Sequence, residues 1–289
     1  MRYEGRVFRP PSEAYSLIVQ ATVGCSHNKC TFCDMYKDKQ FRVRPLKDVL
    51  EDFAIARQTY RSIERVFLAD GDALIRKTED LAEILQYIRR NIPECTRVTS
   101  YGSPVSILTK TPEELRLLSD LGLHMIYLGL ESGSDTVLNR IKKGETAEEI
   151  IRAGHMVKEA GIRLSVTAIN GLGGKELWEE HAVKTGEALS RMKADYIGLL
   201  TLIFEDETPL KKDWREGRFQ LLTPVEIAQE TLRMLEHMDS EGSVFRANHA
   251  SNYVNLRGTL NRDLPKMKTI LQEALAGNVR FKAEAFRAR

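Results

Sequence analysis

Residues 125–130 read Met-Ile-Tyr-Leu-Gly-Leu, an almost unbroken apolar run. A run this short and this apolar is typical of a parallel strand that is buried on both faces. Similar runs recur along the chain, with amphipathic segments of helical period between them. The predicted strands are residues 16–22, 65–69, 97–101, 124–130, 163–170 and 196–202, and the predicted helices are residues 45–60, 78–91, 112–121, 146–160 and 179–192.

This alternation predicts an α/β fold, either a barrel or a doubly wound sheet. Beyond the sixth predicted strand we expect a helix at 224–238, a short strand at 243–247 and a helix at 263–276. Because no linker rich in glycine, proline or serine divides the chain, we expect one domain over residues 1–289. Its core spans about residues 16–210, and a C-terminal extension spans about residues 211–289.

The composition is that of a globular protein, with 42% hydrophobic and 29% charged residues. The 43 basic and 41 acidic residues leave a net charge of +2. Such near balance argues against general binding to nucleic acid or to an acidic membrane. No run approaches the length of a membrane helix, and the N-terminus carries no apolar signal segment, so we expect a cytoplasmic protein with reduced thiols.

Three of the four cysteines lie within residues 25–33, which read CSHNKCTFC. In a reducing compartment such clustering points to metal binding or catalysis rather than to disulfides. Three thiolates can each bind one iron of a [4Fe–4S] cluster and leave the fourth iron open to another ligand. The segment directly follows the first predicted strand, and ligands of α/β folds gather where strands end.

Two other interpretations of these cysteines stay open at this point. Structural zinc needs four ligands, and His27 or Asp34 would have to supply the fourth. A redox pair formed by Cys30 and Cys33 would leave Cys25 without a role.

The triplet, its position after the first strand and Phe32 before the last cysteine resemble the radical S-adenosylmethionine (radical SAM) superfamily. The usual spacing in that family is Cys-x3-Cys-x2-Cys, whereas four residues separate Cys25 from Cys30 here, which indicates an atypical subgroup. The resemblance covers about residues 16–210. It implies a partial (β/α)6 TIM-like barrel with a short C-terminal extension.

Further segments at predicted strand ends extend the resemblance. Residues 70–73, DGDA, are similar to a Gly-Gly-Glu-like turn that contacts the amino group of SAM, and residues 170–174, NGLGG, are similar to a turn that flanks adenine. Residues 129–135, GLESGSD, resemble a segment of the elongator-type and methylthiotransferase-type members. Residues 201–210 carry Asp-Glu where relatives often show Pro-Gly.

The resemblance assigns roles to individual residues. Cys25, Cys30 and Cys33 would hold the [4Fe–4S] cluster, and Glu131 would accept hydrogen bonds from the ribose hydroxyls of SAM. Donors to the carboxylate of SAM would be Ser100, Ser132 or Lys143. The full set of expected SAM contacts is Phe32, Gly71, Asp72, Ser100, Glu131, Ser132, Lys143, Asn170 and Gly171.

A substrate pocket is expected around the polar segment at 245–253, since polar loops near a barrel mouth often carry function. The candidate pocket residues are Tyr101, Asn248, His249, Asn252 and Tyr253. An alternative is that the asparagines are turn residues and that His249 is structural.

The resemblance implies an enzyme that reductively cleaves SAM at the cluster to a 5′-deoxyadenosyl radical. This radical would abstract hydrogen from a small molecule or a peptide, and an electron donor such as flavodoxin or ferredoxin would reduce the cluster. The alternative is a regulatory or cluster-carrier protein that binds SAM and iron–sulfur without turnover. Because no further cysteine cluster is present, a methylthiotransferase with a second cluster is not expected.

Overall fold

The chain folds into alternating strands and helices in a computed structural model that describes residues 1–204 and 206–288. Glu205, in the loop after the sixth predicted strand, and Arg289 lie outside the described residues. The strands are β1 Leu17–Gln20, β2 Thr22–Val23, β3 Arg42–Val43, β4 Arg65–Ala69, β5 Arg97–Tyr101, β6 Leu123–Glu131, β7 Arg163–Asn170, β8 Tyr196–Thr201, β9 Val244–Ala247 and β10 Leu256–Thr259. The helices are α1 Leu46–Thr59, α2 Thr78–Asn91, α3 Pro104–Leu108, α4 Pro112–Asp120, α5 Asp135–Arg140, α6 Ala147–Glu159, α7 Gly174–Met192, α8 Pro209–Arg215, α9 Pro224–Glu236 and α10 Leu264–Leu275.

The main sheet has eight strands in the order β1-β4-β5-β6-β7-β8-β9-β10, and β2 pairs with β3 in a separate two-stranded sheet. The pairing is mostly parallel, with β10 antiparallel to β9. The prediction of an α/β fold is therefore confirmed. The sheet contains the six expected strands together with β9 and β10. Strand β9 corresponds to the short strand expected at 243–247, whereas β10 was not expected.

Two compact units make up the chain. Unit 1 comprises residues 1–28, 35–128 and 152–164, and unit 2 comprises residues 29–34, 129–151 and 165–289. The interpretation of the chain as one domain stays a prediction.

Strands β4, β5 and β6 carry an aromatic cluster on one face in unit 1. The ring of Phe67 on β4 lies 5.0 Å from that of Tyr101 on β5 and 6.1 Å from that of Tyr127, both in edge-to-face geometry. Register pairs Tyr101 with Tyr127, so both side chains leave the sheet on the same side. At the base of this cluster the buried Glu13 accepts hydrogen bonds from Tyr127 and from Arg97. The cluster therefore fills the space above β4 and β5 with packed rings.

Helix starts follow the expected capping chemistry. Thr111 and Thr223 are N-caps that precede proline, and each forms a reciprocal capping box with the glutamate three residues later. Helix α7 begins at Gly174, earlier than the predicted residue 179. A Cβ at Gly174 would lie 2.8 Å from the ring of Phe219, so this glycine permits close packing rather than ending the helix.

In unit 2, helices α9 and α10 cover one face of the strands β8 to β10. Side chains from both layers surround a cavity of about 10 Å³, which has room for about one water molecule. The strand residues on this covered face include Leu199, Thr201, Ala247 and Leu256. Because side chains alternate along a strand, Gly198 and Arg246 lie on the opposite face.

None of the helices within residues 1–204 and 206–288 combines the length and the apolar composition that a membrane span requires.

Candidate functional site

The first cysteine of the triplet lies in unit 1, directly after β2. Cys25 is a free, partly buried thiol, and the preceding Gly24 accepts a hydrogen bond from the backbone N–H of Gly71 at 3.1 Å. A Cβ at Gly71 would lie 3.0 Å from Cβ of Cys25 and 2.6 Å from the ring of Tyr36. Residue 71 must therefore be glycine for the end of β4 to approach the cysteine loop this closely.

A buried ion pair anchors this loop. The carboxylate of Asp70 is fully buried, and its Oδ2 accepts hydrogen bonds from Lys39 Nζ at 2.9 Å, from Gln20 Nε2 at 2.9 Å and from the N–H of Gly24 at 3.1 Å. Gly24 precedes the triplet and Lys39 follows it, so one carboxylate binds both ends of the segment. Sequence reasoning had not assigned a role to Asp70 or Lys39, although a carboxylate directly before Gly71 was a usable signal.

Asp72, an expected SAM contact, also binds the loop. Its Oδ2 accepts hydrogen bonds from Ser26 Oγ at 2.6 Å and Ser103 Oγ at 2.8 Å, and its Oδ1 accepts one from the N–H of Ser103 at 3.1 Å. Asp72 is fully buried, so its carboxylate is used within the chain, where it joins the cysteine loop to the residue before α3.

Ser100 is placed differently from the expectation. It pairs in register with Leu68 on the helix-covered side of the sheet, and it is 1% exposed. Its Oγ donates to the backbone oxygen of Tyr101 at 2.8 Å and lies 3.4 Å from that of Leu68. The single hydroxyl proton is thus used within the chain, and this geometry corrects the expectation that Ser100 donates to SAM.

The other two cysteines lie in unit 2, on a short segment held by backbone hydrogen bonds. The N–H of Thr31 donates to Ile141 O at 2.8 Å, and the N–H of Leu210 donates to Thr31 O at 3.0 Å. Cys30 and Cys33 are thiols rather than disulfide partners, and both are partly buried, as is the neighbouring Phe32. The segment is therefore fixed to the turn after α5 and to the start of α8.

Glu131 and Lys143, which the resemblance places near SAM, form an ion pair of 3.3 Å in unit 2. Both side chains are nearly buried, at 13% and 12% exposed. Burial opposes the charge on Lys143, but the nearby Glu131 and Cys30 together raise its pKa, so the lysine stays protonated. A Cβ at Gly129 would lie 2.0 Å from Oε1 of Glu131, so this glycine makes room for the pair.

The turn that carries Glu131 is clamped by a buried histidine on α7. Nε2 of His181 donates to Ile169 O at 3.1 Å, so Nδ1 must be the acceptor of the Ser132 hydroxyl at 2.8 Å. This corrects one expectation, because Ser132 uses its proton for His181, which is fully buried. A cluster of hydroxyl residues at 132–134 was the only sequence signal for such a partner.

The turn at the end of β7 is held by two residues of α9. The buried carboxyl of Glu230 accepts the N–H of Gly171 at 2.7 Å, and the amide of Asn170 donates to Thr231 Oγ1 at 2.8 Å. Burial raises the pKa of Glu230 to about 8, against the opposing effect of the Gly171 hydrogen bond. The Asn170 side chain therefore faces α9, and its contact with SAM stays a prediction.

The expected substrate-pocket residues are dispersed. Asn252 is buried, with its oxygen accepting from Thr201 Oγ1 and its nitrogen donating to Leu199 O, both at 2.8 Å. Nδ1 of His249 interacts with Ser251, and burial lowers the pKa of His249. These contacts are those of a structural loop, as in the alternative interpretation. Asn248 is exposed, and Tyr101 belongs to the aromatic cluster of unit 1.

The C-terminal tail covers Tyr253. The hydroxyl of Tyr253 donates to Glu284 at 2.8 Å, and the guanidinium of Arg287 stacks 4.0 Å from the centroid of the Tyr253 ring. Arg287 also donates to Ser251 O at 2.6 Å and to Leu202 O at 3.0 Å. The tail therefore docks on the loop after β9.

Across residues 1–204 and 206–288, no group of three or more histidine, cysteine, aspartate or glutamate side chains is gathered around a point where one metal ion would bind.

A family profile described as the radical SAM superfamily matches residues 19–185, which is more than half of the chain. The chain belongs to the radical SAM superfamily. Enzymes of this superfamily bind a [4Fe–4S] cluster and SAM, so the expected fold, cofactors and enzyme class are confirmed at the level of the family.

Two curated relatives illustrate the breadth of this family. The heme chaperone HemW of Bacillus subtilis is 21% identical over 227 residues, which cover 75% of this chain and 58% of that protein. A tRNA-2-methylthio-N(6)-dimethylallyladenosine synthase of Hahella chejuensis is 31% identical over 157 residues, which cover 50% of this chain and 33% of that protein. The chain therefore matches less than two thirds of the length of these relatives.

Solved structures show the same fold. The radical SAM methyltransferase TsrM of Kitasatospora setae, with cobalamin and a [4Fe–4S] cluster bound, has a TM-score of 0.58 at 21% identity, covering 74% of this chain and 43% of that chain. Methylornithine synthase PylB has a TM-score of 0.52 at 14% identity, covering 93% of this chain and 83% of that chain. At sequence identities this low, the similarity shows a shared fold and nothing more.

Replacing Lys39 by methionine tests the buried anchor of the cysteine loop. The substitution leaves the charge of Asp70 buried without its cationic partner, so the free energy of unfolding should fall by about 3–5 kcal/mol. Urea unfolding of the anaerobic protein measures this change. The exposed Lys37→Met change on the same loop serves as control and should cost less than about 1 kcal/mol. Equal midpoints for the two variants would refute the anchor.

The buried neutral His181 predicts a pH dependence of stability. Burial lowers its pKa to about 4 from 6.5, although the Ile169 hydrogen bond opposes this shift. As pH falls from 6.5 to 4, the unfolded chain binds a proton here that the folded chain does not, so stability falls by roughly 3 kcal/mol. The His181→Asn variant should show a flatter decline than the wild type.

The exposed His155→Asn variant is the matched control for that experiment and should follow the wild-type curve. Chemical unfolding at fixed pH values between 4.5 and 7.5 measures the slopes. If the His181→Asn and wild-type slopes coincide, the buried neutral imidazole is not present in the folded protein.

Proposed function

We propose that the chain is a radical SAM enzyme that acts on a small molecule or a peptide, with its cluster held by Cys25, Cys30 and Cys33. The observation that carries the proposal is the nearly buried Glu131–Lys143 pair beside Cys30. It supplies opposite charges next to a cluster ligand, and SAM itself is a zwitterion. When bound, the cluster and SAM supply reductive cleavage of SAM to methionine and a 5′-deoxyadenosyl radical that abstracts hydrogen.

The three cysteines suit a [4Fe–4S] cluster that binds SAM. The three cysteines within nine residues would provide one ligand to each of three irons and leave the fourth iron for SAM. Gly71 lets the end of β4 approach Cys25, and Gly129 makes room for the Glu131–Lys143 pair beside Cys30. These features support the family assignment residue by residue.

Within this proposal each residue has a distinct task. Lys143 presents a permanent positive charge to the carboxylate of SAM, and Glu131 accepts the ribose hydroxyls. His181 holds the turn that carries Glu131, and Glu230 holds the turn at Gly171 through its backbone N–H. The chain thus orients the cofactor through these two turns.

The partners belong to the same proposal. A reductant such as flavodoxin or ferredoxin would supply the electron, and a small molecule or a peptide would be the substrate. A regulatory or cluster-carrier role is the alternative, but no specific contact in the described residues favours it.

Anaerobic reconstitution with iron, sulfide, SAM and dithionite tests the proposal. The wild type should acquire a [4Fe–4S] absorption spectrum and form 5′-deoxyadenosine, whereas Cys30→Ala should do neither. Cys95→Ala is the matched control, because Cys95 is a partly buried thiol outside the triplet, and it should behave as the wild type. Equal product from Cys30→Ala and the wild type would overturn the proposal.

Lys143→Met separates cofactor binding from cluster assembly in the same assay. Loss of one hydrogen bond from a charged donor costs about 1.5–3 kcal/mol, so the KM for SAM should rise roughly tenfold or more with normal iron content.

A further inference from the structure

Two arginines face each other across β9 and β10 in unit 2. In the antiparallel register Arg246 pairs directly with Arg257, so both side chains leave the sheet on the same side. Their neighbours Phe245, Ala247 and Leu256 are buried on the other face, against α9 and α10. Both arginines are exposed. The pair therefore lies on the face that these two helices leave uncovered.

The charges of this pair are not compensated by any ion pair within residues 1–204 and 206–288. Among the described residues neither arginine makes an ion pair, and Arg246 donates only to the backbone oxygens of Phe245 at 2.8 Å and Gly258 at 3.3 Å. Like charges directly opposed across strands destabilise a sheet. An anion between the guanidinium groups would remove this repulsion and would gain charge-assisted hydrogen bonds.

The strands next to the pair provide space and a hydroxyl. Gly198 is in register with Arg246, and Thr167 is in register with Gly198, so these residues form a row on the same face. A Cβ at Gly198 would meet its nearest atom, Oγ1 of Thr167, at 3.8 Å, an ordinary van der Waals distance, and glycine places no side chain between Thr167 and Arg246. The half-buried Thr167 adds a hydroxyl to the edge of this space.

The row also lies on parallel strands that end at the edge where ligands of α/β folds bind. Arg246 is the penultimate residue of β9, close to the carboxyl end of that strand. Arginine suits this position because its planar fork binds two oxygens of one oxyanion.

We propose that Arg246 and Arg257 form an oxyanion subsite that binds a carboxylate or phosphate group of the substrate. The subsite rests on the proposed function for its role in turnover, but its ability to bind an oxyanion does not depend on SAM cleavage.

The test measures the thermal unfolding midpoint of the cluster-loaded protein at constant ionic strength, without SAM. Inorganic phosphate in one arm and acetate in the other replace chloride. The wild-type midpoint should rise in at least one arm, and the double variant Arg246→Gln/Arg257→Gln should lose this rise. Arg116→Gln on α4, an exposed arginine also lacking an ion pair to the described residues, should keep it.

In chloride at low ionic strength, Arg257→Gln alone should unfold at a higher temperature than the wild type, because it removes the opposed charge. A rise with phosphate alone identifies a phosphorylated substrate class, and a rise with acetate alone identifies a carboxylate class. Equal rises in the wild type and the double variant, or no rise in either arm, would overturn the subsite.

Failure of the subsite is distinguishable from failure of the proposed function. If the wild type forms no 5′-deoxyadenosine but still shows the arginine-dependent rise, the binding site stands and the enzymatic role falls. If 5′-deoxyadenosine forms without any arginine-dependent rise, the enzymatic role stands and the subsite falls.

Discussion

The carboxylate of Asp70 is the contact on which the cysteine loop depends. It is completely buried, and its charge is compensated by Lys39 and by the backbone N–H of Gly24. Burying a carboxylate without such partners would cost several kcal/mol, so the loop must bring Lys39 inward for β4 to end where it does. Cys25 directly follows Gly24, so this contact positions the first cysteine of the triplet.

A comparable constraint operates in unit 2. There the neutral imidazole of His181 links the carbonyl of Ile169 to the hydroxyl of Ser132 and so joins the ends of two strands. Glu131 directly precedes Ser132, and its pairing with Lys143 beside Cys30 follows from the position of this turn. In our proposal, some polar residues contact the cofactor and others do not. The residues that do not contact it determine the positions of the residues that do.

Much of this fold could be predicted from the sequence, because apolar strands such as Arg65–Ala69 and capped helices such as Pro112–Asp120 carry local signals. Strand β10 was missed because its four residues include a central glycine and an exposed arginine. The roles of Ser100, Ser132 and His181 depend on which face a side chain occupies and on a partner distant in the chain, and neither is encoded locally. The family motifs were predictable because each follows a strand.

The most direct test of the account is whether SAM binds the cluster that we propose for this loop. The measurement is electron paramagnetic resonance of the reduced, cluster-loaded protein with and without SAM labelled with ¹⁷O at its carboxylate and ¹⁵N at its amino group. The account predicts that SAM shifts the cluster signal and that both labels couple to it, because the three cysteines leave one iron open. An unchanged signal without coupling to either label would contradict it.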